Sequence, residues 1–145
     1  MDTLNLHSNF DNLLYIGRSV LNNTSSHIQK LFFKKEMCIY EYLYKEEVSK
    51  GIEIKIDDVV LVCALEHDKC NKSILYFNDV ANIARYIHYC NSNFEYKEEL
   101  NGWIMSDSYL ALSISEDDYE KRFAFIQTLS LIHISEPTRH SLISY

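Results

Sequence analysis

The sequence predicts an α+β domain, built of two β-α-β-β-like units that form a mainly antiparallel sheet with helices packed on it. Three observations predict it. Two stretches carry apolar residues at helical spacing, each is followed by β-rich runs in hairpin order, and chain breakers are scarce. Only three glycines (Gly17, Gly51, Gly102) and one proline (Pro137) occur in 145 residues, where ordinary usage gives roughly 10 and 7. Apolar residues at 47% suffice for a core, and charged residues at 24% are ordinary. That balance excludes a disordered tail, a collagen-like fibre and a membrane-spanning chain.

The first helix is expected over about Phe10 to Leu21. Leu13, Ile16, Gly17 and Val20 fall at i, i+3, i+4 and i+7, one helical face, with Asn9 or Asp11 as cap. A short strand, Thr3 to His7, precedes it. The strands His27 to Phe33 and Glu36 to Tyr44 follow, split by Lys34-Lys35, and polar Lys45 to Lys50 reads as a linker. Gly51 to Ile56 alternates apolar and charged residues, so one face is wet. Val59 to Leu65 is continuously apolar and reads as a central strand covered on both faces.

The second unit opens with a strand from Ser73 to Phe77. Asn78 caps a helix over about Asp79 to Tyr89, in which Val80, Ile83, Ala84 and Ile87 share a face. A hairpin of Glu99 to Met105 with Ser108 to Ile114 follows, split by Ser106-Asp107. Asn101-Gly102 offers a competing turn, which would pair Phe94 to Leu100 with Trp103 onward. A last helix is expected from Ser115, where Asp118 completes a capping-box-like pattern. Tyr119, Phe123, Ile126 and Ser130 share its face, and Glu116, Asp117 and Asp118 suit its positive end.

The two principal helices align at an offset of 67, Phe10 over Phe77 and Arg18 over Arg85, with small Gly17 and Ala84 in register. A small side chain on that face implies close packing on a sheet. The expected organisation is a first unit with its linker at 1–50, a second unit with its preceding strands and last helix at 51–130, and a tail at 131–145. The run from Leu129 through Arg139 closely resembles translated sequencing-adapter read-through, so the chain's own frame is expected to end near Thr128 to Ser130. A natural strand, Ser130 to Ile134, ended by Pro137, is the other reading. The tail receives no functional role.

Fourteen basic and 21 acidic residues give a net charge of −7. That balance disfavours nucleic-acid backbones and anionic membrane surfaces. The N-terminus has no basic or apolar segment of a secretion signal, so a cytoplasmic location is expected. Cys38, Cys63, Cys70 and Cys90 are then reduced thiols.

Catalytic motifs are sparse: no Gly-rich phosphate loop, G-x-S-x-G, H-E-x-x-H or C-x-x-C occurs. One cysteine/histidine set stands out: Cys63, His67 and Cys70 at C-x3-H-x2-C, with His88 and Cys90 one helix later. Zinc takes four N/S ligands in a tetrahedron, and whether these five converge decides that reading. A buried cysteine in an apolar strand is otherwise a small hydrophobe. No catalytic, cofactor-binding or metal residue is assigned, no cofactor is expected, and the chain reads as a non-enzyme. Tyr40, Tyr42 and Tyr44 share a strand face and form a protein-contact candidate if exposed.

From Ser73 to Ser130 the chain resembles the C-terminal domain of the MecA adaptor family. Ile74-Leu75-Tyr76-Phe77, Asn78-Asp79-Val80-Ala81-Asn82-Ile83-Ala84, Ser108-Tyr109-Leu110-Ala111-Leu112 and the helix Glu116 to Leu129 carry the likeness. The resemblance implies a non-enzymatic adaptor whose partner is a Clp-type AAA+ ATPase, and transfers no individual site residue. Asn101-Gly102-Trp103 stands where the family's hairpin begins tyrosine-rich. The alternative is a small cytoplasmic interaction or inhibitor protein of mobile-element origin, or a zinc-binding module.

Overall fold

The computed structural model describes residues 5–78, 80–105, 110–117 and 122–129. Two helices come first, α1 (Asn5–Ser19) and α2 (Ser25–Leu31). A four-strand meander follows: β1 (Met37–Tyr44), β2 (Glu47–Ile56), β3 (Val59–Glu66) and β4 (Lys69–Phe77). A 3-10 turn, Val80–Asn82, leads into α3 (Ile83–Asn93). A second meander closes the described chain: β5 (Glu95–Lys97), β6 (Gly102–Ile104), β7 (Leu110–Asp117) and β8 (Arg122–Leu129). β4 pairs with β8, giving one eight-stranded sheet of order β1-β2-β3-β4-β8-β7-β6-β5. Every pairing is antiparallel.

The α+β class is therefore the observed one, but each unit is a helical segment followed by four strands rather than β-α-β-β. The topology repeats about the β4–β8 seam, and residues 50 and 51 both lie inside β2. The 67-residue offset does not superpose the helix faces. α3 buries Tyr86 and Cys90, with Ile83 and Ile87 packed beside them, while Ala84 is exposed. α1 buries Phe10, Leu14 and Gly17, with Leu13 and Ile16 half-buried at the margin and Val20 buried just past its end.

Several local expectations are corrected. Asn5 to His7 begin α1, and Thr3 and Leu4 lie outside the described residues. His27 to Leu31 are helical because Thr24 supplies an N-cap: its hydroxyl accepts the His27 N–H at 3.2 Å. That satisfies one of the donors a helix start leaves open. Ile28 then anchors α2 in the core with no residual exposure. Lys45 to Lys50 is no linker, since Lys45-Glu46 form a two-residue loop and β2 starts at Glu47. β3 is not equally covered on its two faces: Val59, Leu61, Cys63 and Leu65 are buried, whereas Val60, Val62 and Ala64 are half-buried. α3 is not capped by Asn78. Asn82 holds the N-cap position without a side-chain cap bond, because the 3-10 turn intervenes.

The largest correction concerns Ser115 to Leu129, which is strand on both sides of the β7–β8 connection. Phe123, Phe125 and Gln127 are buried at two-residue spacing, the period of a strand and not of a helix. Pairing with β4, Phe77↔Phe123 and Leu75↔Phe125, fixes that register. Asp118 to Lys121, Ser130 and the tail at 131–145 lie outside the described residues. Of the two turns weighed after α3, the first is a loop over Glu98 to Asn101, with Gly102 already in β6. β5 and β6 pair across Asn101, which is left-handed at φ 53°, and β6 then pairs with β7. Ser106 and Asp107, between β6 and β7, lie outside the described residues.

The first meander turns on two-residue loops without glycine. Lys45 and Glu46 (φ 52° and 66°), Asp57 (φ 52°), and His67 and Asp68 (φ 53° and 61°) are all left-handed. Such loops match the twist of the strands they join, yet a left-handed L-residue costs about 1–2 kcal/mol. Glu46→Gly should therefore raise unfolding free energy by about 1 kcal/mol, read as a higher urea midpoint at unchanged slope. No gain would show that the turn carries no such strain.

α1 crosses the sheet at the β4–β8 seam. A Cβ on Gly17 would overlap Gln127 Oε1 and approach Ser73 Oγ to 3.2 Å. The missing side chain lets fully buried Gln127 donate its Nε2–H to the Leu14 carbonyl at 3.2 Å. The loop between α1 and α2 is tied to β4 by two main-chain bonds. Asn22 N–H donates to the Cys70 carbonyl at 2.6 Å, and Cys70 N–H donates to the Asn23 carbonyl at 2.9 Å. α3 is fastened by Tyr89 O–H to Asp11 Oδ1 at 2.7 Å, and by Trp103 Nε1–H to Asn91 Oδ1 at 2.9 Å.

Candidate functional site

The helices cover one face of the sheet, and among the described residues nothing covers the other. Directly opposed residues share a face, so the registers trace the open side strand by strand. Tyr40 and Tyr42 on β1 stand opposite Gly51 and Ser49 on β2. Val62 and Ala64 on β3 stand opposite Ile74 and Lys72 on β4. Ile74 and Tyr76 continue to Ile126 and Ala124 on β8.

The result is a shallow groove of about 650 Å³ whose floor is Val62, Ala64, Ile74 and Tyr76, with Tyr40 and Tyr42 along one wall. Lys45, Glu66, Asn71 and Lys72 give it a polar rim of both charge signs. An apolar floor inside a polar rim is the layout of a protein-contact patch.

Gly51 shapes that wall. A Cβ there would lie 2.5 Å from Tyr40 Cζ, so the Tyr40 ring lies flat across β2 and shields the glycine backbone. The Tyr42 ring sits 6.0 Å away at 39°. Partial burial, reinforced by the Glu53 carboxylate, holds the Tyr40 hydroxyl above its ordinary range. It is therefore a neutral hydrogen-bond donor at the rim at neutral pH. Of the tyrosine stripe anticipated from sequence, these two side chains are the described members. The uncovered aliphatic floor beside them was not anticipated, because Val59 to Leu65 reads as buried on both sides.

A second cleft, of about 660 Å³, opens where the middle of α1, at Asn12, Leu13 and Ile16, meets the β2–β3 turn and the start of α3. Asn12, Asp57, Asp58, Asn78 and Asn82 line it around Phe77 and Tyr86. It brings together amides and carboxylates but no nucleophile with a base.

The cysteine/histidine set divides. Cys63 on β3 and Cys70 on β4 meet in the core, on the helix side, where a bulge displaces the register after Ala64. His67 lies exposed in the β3–β4 turn, His88 lies exposed on α3, and Cys90 is buried under α3. Among the described residues no group of three or more His, Cys, Asp or Glu side chains is placed to hold a metal ion. The acidic run expected at a helix start is also relocated, since Glu116 and Asp117 end β7 and Asp118 lies outside the described residues.

The thiols differ sharply in environment. Burial pushes Cys90 up to about 12. Cys63 shares its thiol hydrogen with Cys70 and is cut off from water, which also raises it, while the same bond lowers Cys70. Cys38 is exposed. Because the thiolate is the nucleophile, an alkylating reagent at pH 8 should label Cys38 rapidly and the other three only on unfolding. Rapid labelling of all four in the folded chain would contradict the buried placement. The same groups set an alkaline limit. The protonated Cys63 and Cys90 thiols and the raised Tyr89 hydroxyl, held up by burial and by its bond to Asp11, stabilise the fold fully below their unfolded values. That contribution is lost as pH rises through the folded ones. The thermal midpoint should fall from about pH 9 toward pH 12.

Among the described residues no helix is long and apolar enough to cross a membrane. The fold and surface define a class, an antiparallel sheet with one face given to helices and the other to an uncovered apolar groove. No protein-family model, curated protein or solved structure matches this chain.

Proposed function

We propose that this chain is a non-enzymatic protein-binding adaptor that docks a Clp-type AAA+ ATPase on the open face of its sheet. The observation that carries the reading is the continuous run of Tyr40, Tyr42, Val62, Ala64, Ile74 and Tyr76 around one groove, with no element over it among the described residues. Half-buried apolar floors with charged rims release water when a complementary surface covers them. The MecA resemblance supplies the class of partner. The terminal helix it drew on is strand here, so the reading rests on the sheet face.

The test is retention of a purified Clp-type AAA+ ATPase on the immobilised chain, with the ATPase rate measured in parallel. Retention with a changed rate is expected, and Tyr76→Ala should weaken it by about tenfold, since removing a central interface aromatic typically costs more than 1 kcal/mol. No retention and no change of rate would discard the ATPase as partner. Binding indifferent to Tyr76→Ala would discard the groove.

A further inference from the structure

The two ends of the sheet are unlike. β5 offers three residues, with Lys97 Nζ turned onto Glu95 Oε2 at 3.1 Å. β1 offers eight residues and has no neighbour on its outer side among the described residues. A long edge with exposed apolar side chains is a template for another strand.

The direction of its main chain follows from two observations. Lys55 N–H donates to the Glu36 carbonyl at 2.9 Å, and Tyr44 opposes Glu47 across the two-residue loop. Both place the even-numbered residues of this segment in the hydrogen-bonded pairs with β2. By the alternation of an antiparallel ladder, Met37, Ile39, Glu41 and Leu43 turn their N–H and C=O groups outward.

The exposed side chains follow a symmetric order. Residues 39–43 read Ile-Tyr-Glu-Tyr-Leu, aliphatic-aromatic-acid-aromatic-aliphatic in either direction. Ile39 is 44% exposed and Leu43 75%, on the side where the helices stop short, with Val48 of β2 beside Leu43 at 66%. Tyr40 and Tyr42, at 36% and 37%, stand on the other side.

We propose that β1 pairs antiparallel with β1 of a second copy of this chain, about a two-fold axis through Glu41, joining two eight-stranded sheets into one. In that register Ile39 opposes Leu43 of the second copy, and Tyr40 opposes Tyr42 of the second copy. The outward main-chain groups of Ile39, Glu41 and Leu43 all find partners. A shift of two residues places Ile39 against Glu41 or Lys45 instead, so the symmetric order selects one register and favours a second copy over an unrelated strand. The two Glu41 side chains meet on the axis, each with Lys50 opposite it on β2. They make the pairing weaker than it would be with a neutral residue, because like charges directly opposed in a sheet are unfavourable.

Sedimentation velocity on the full chain, from about 1 to 100 µM, tests this. A concentration-dependent dimer is expected. Glu41→Gln should tighten it by roughly two- to fivefold. Glu41→Pro removes an outward N–H that the β1–β2 ladder does not use, a site where an edge strand tolerates proline, and should leave a monomer with unchanged circular dichroism. Leu43→Lys, at a site with little packing to lose, should do the same and serves if the proline variant fails to fold. A wild-type chain that is monomeric at about 100 µM, or a dimer indifferent to both Glu41→Pro and Leu43→Lys, overturns the proposal. The inference is independent of the adaptor reading. Tyr76→Ala, away from the edge, should leave the dimer intact.

Discussion

Phe10→Ala should lower unfolding free energy by about 3–5 kcal/mol, a large part of the roughly 5–15 kcal/mol that holds a domain of this size together. Phe10 is the hub of the aromatic core. Its ring stacks on Tyr86 of α3 at 4.4 Å and 12°, meets Tyr89 edge-on at 5.3 Å, and meets Phe125 of β8 at 5.1 Å. Phe77 at the end of β4 lies 6.1 Å away. One side chain thus binds α1 to α3 and to both central strands, and alanine leaves a void that four aromatic rings cannot all close. Urea unfolding followed by fluorescence should show a much lower midpoint at similar slope, and Phe10→Leu should recover part of the loss. A change below about 1 kcal/mol would mean that α1 does not pack as described.

The second large effect is expected at Gly17. Alanine in a helix interior is ordinarily better than glycine by about 1 kcal/mol. Here the added methyl overlaps Gln127 Oε1, and Gln127 is fully buried with its Nε2 held by the Leu14 carbonyl and Met105 Sδ. Overpacking of this kind costs about 1–3 kcal/mol, and a displaced Gln127 loses a hydrogen bond worth about 1 kcal/mol. The expected net change for Gly17→Ala is a loss of about 1–3 kcal/mol. Gln127→Ala frees the space, so the double variant should be less destabilised than the sum of the singles. Strict additivity would show that the two sites do not touch. Among the described residues Ser73 Oγ and Gln127 Oε1 are buried without a hydrogen-bond partner at this crossing.

Much of the fold is legible where one face of an element is polar. The alternation of Ile52, Ile54 and Ile56 with Glu53 and Lys55 marks β2, and the spacing through α1 marks a helix. Asn101-Gly102 marks the end of the loop between β5 and β6, where Asn101 tolerates the left-handed backbone and Gly102 begins β6. Legibility fails where both faces of a strand are apolar. In Phe123-Ala124-Phe125-Ile126-Gln127, the aromatic residues face the helices and Ala124 and Ile126 lie on the opposite face of the sheet. Apolar positions then satisfy helical and strand periods alike. For α2 the signal lay in the cap, Thr24, and not in the β-prone letters after it. The groove was half legible: the Tyr40 and Tyr42 stripe is a pattern along one strand, but its floor comes from β3 and β4.

What the sequence determined by itself is local: the α+β class, the two principal helices, most strands of the first meander, and the need for a small residue at Gly17. The tertiary structure alone decided that β4 lies beside β8, that Cys63 meets Cys70 while His67, His88 and Cys90 stay apart, and that β1 is left as an edge. The physical reason is range. Helical and strand periods are written in neighbouring residues, whereas strand order is set by which apolar faces bury one another far apart in the chain, as Phe77 and Phe123 do, and no local spacing records that choice.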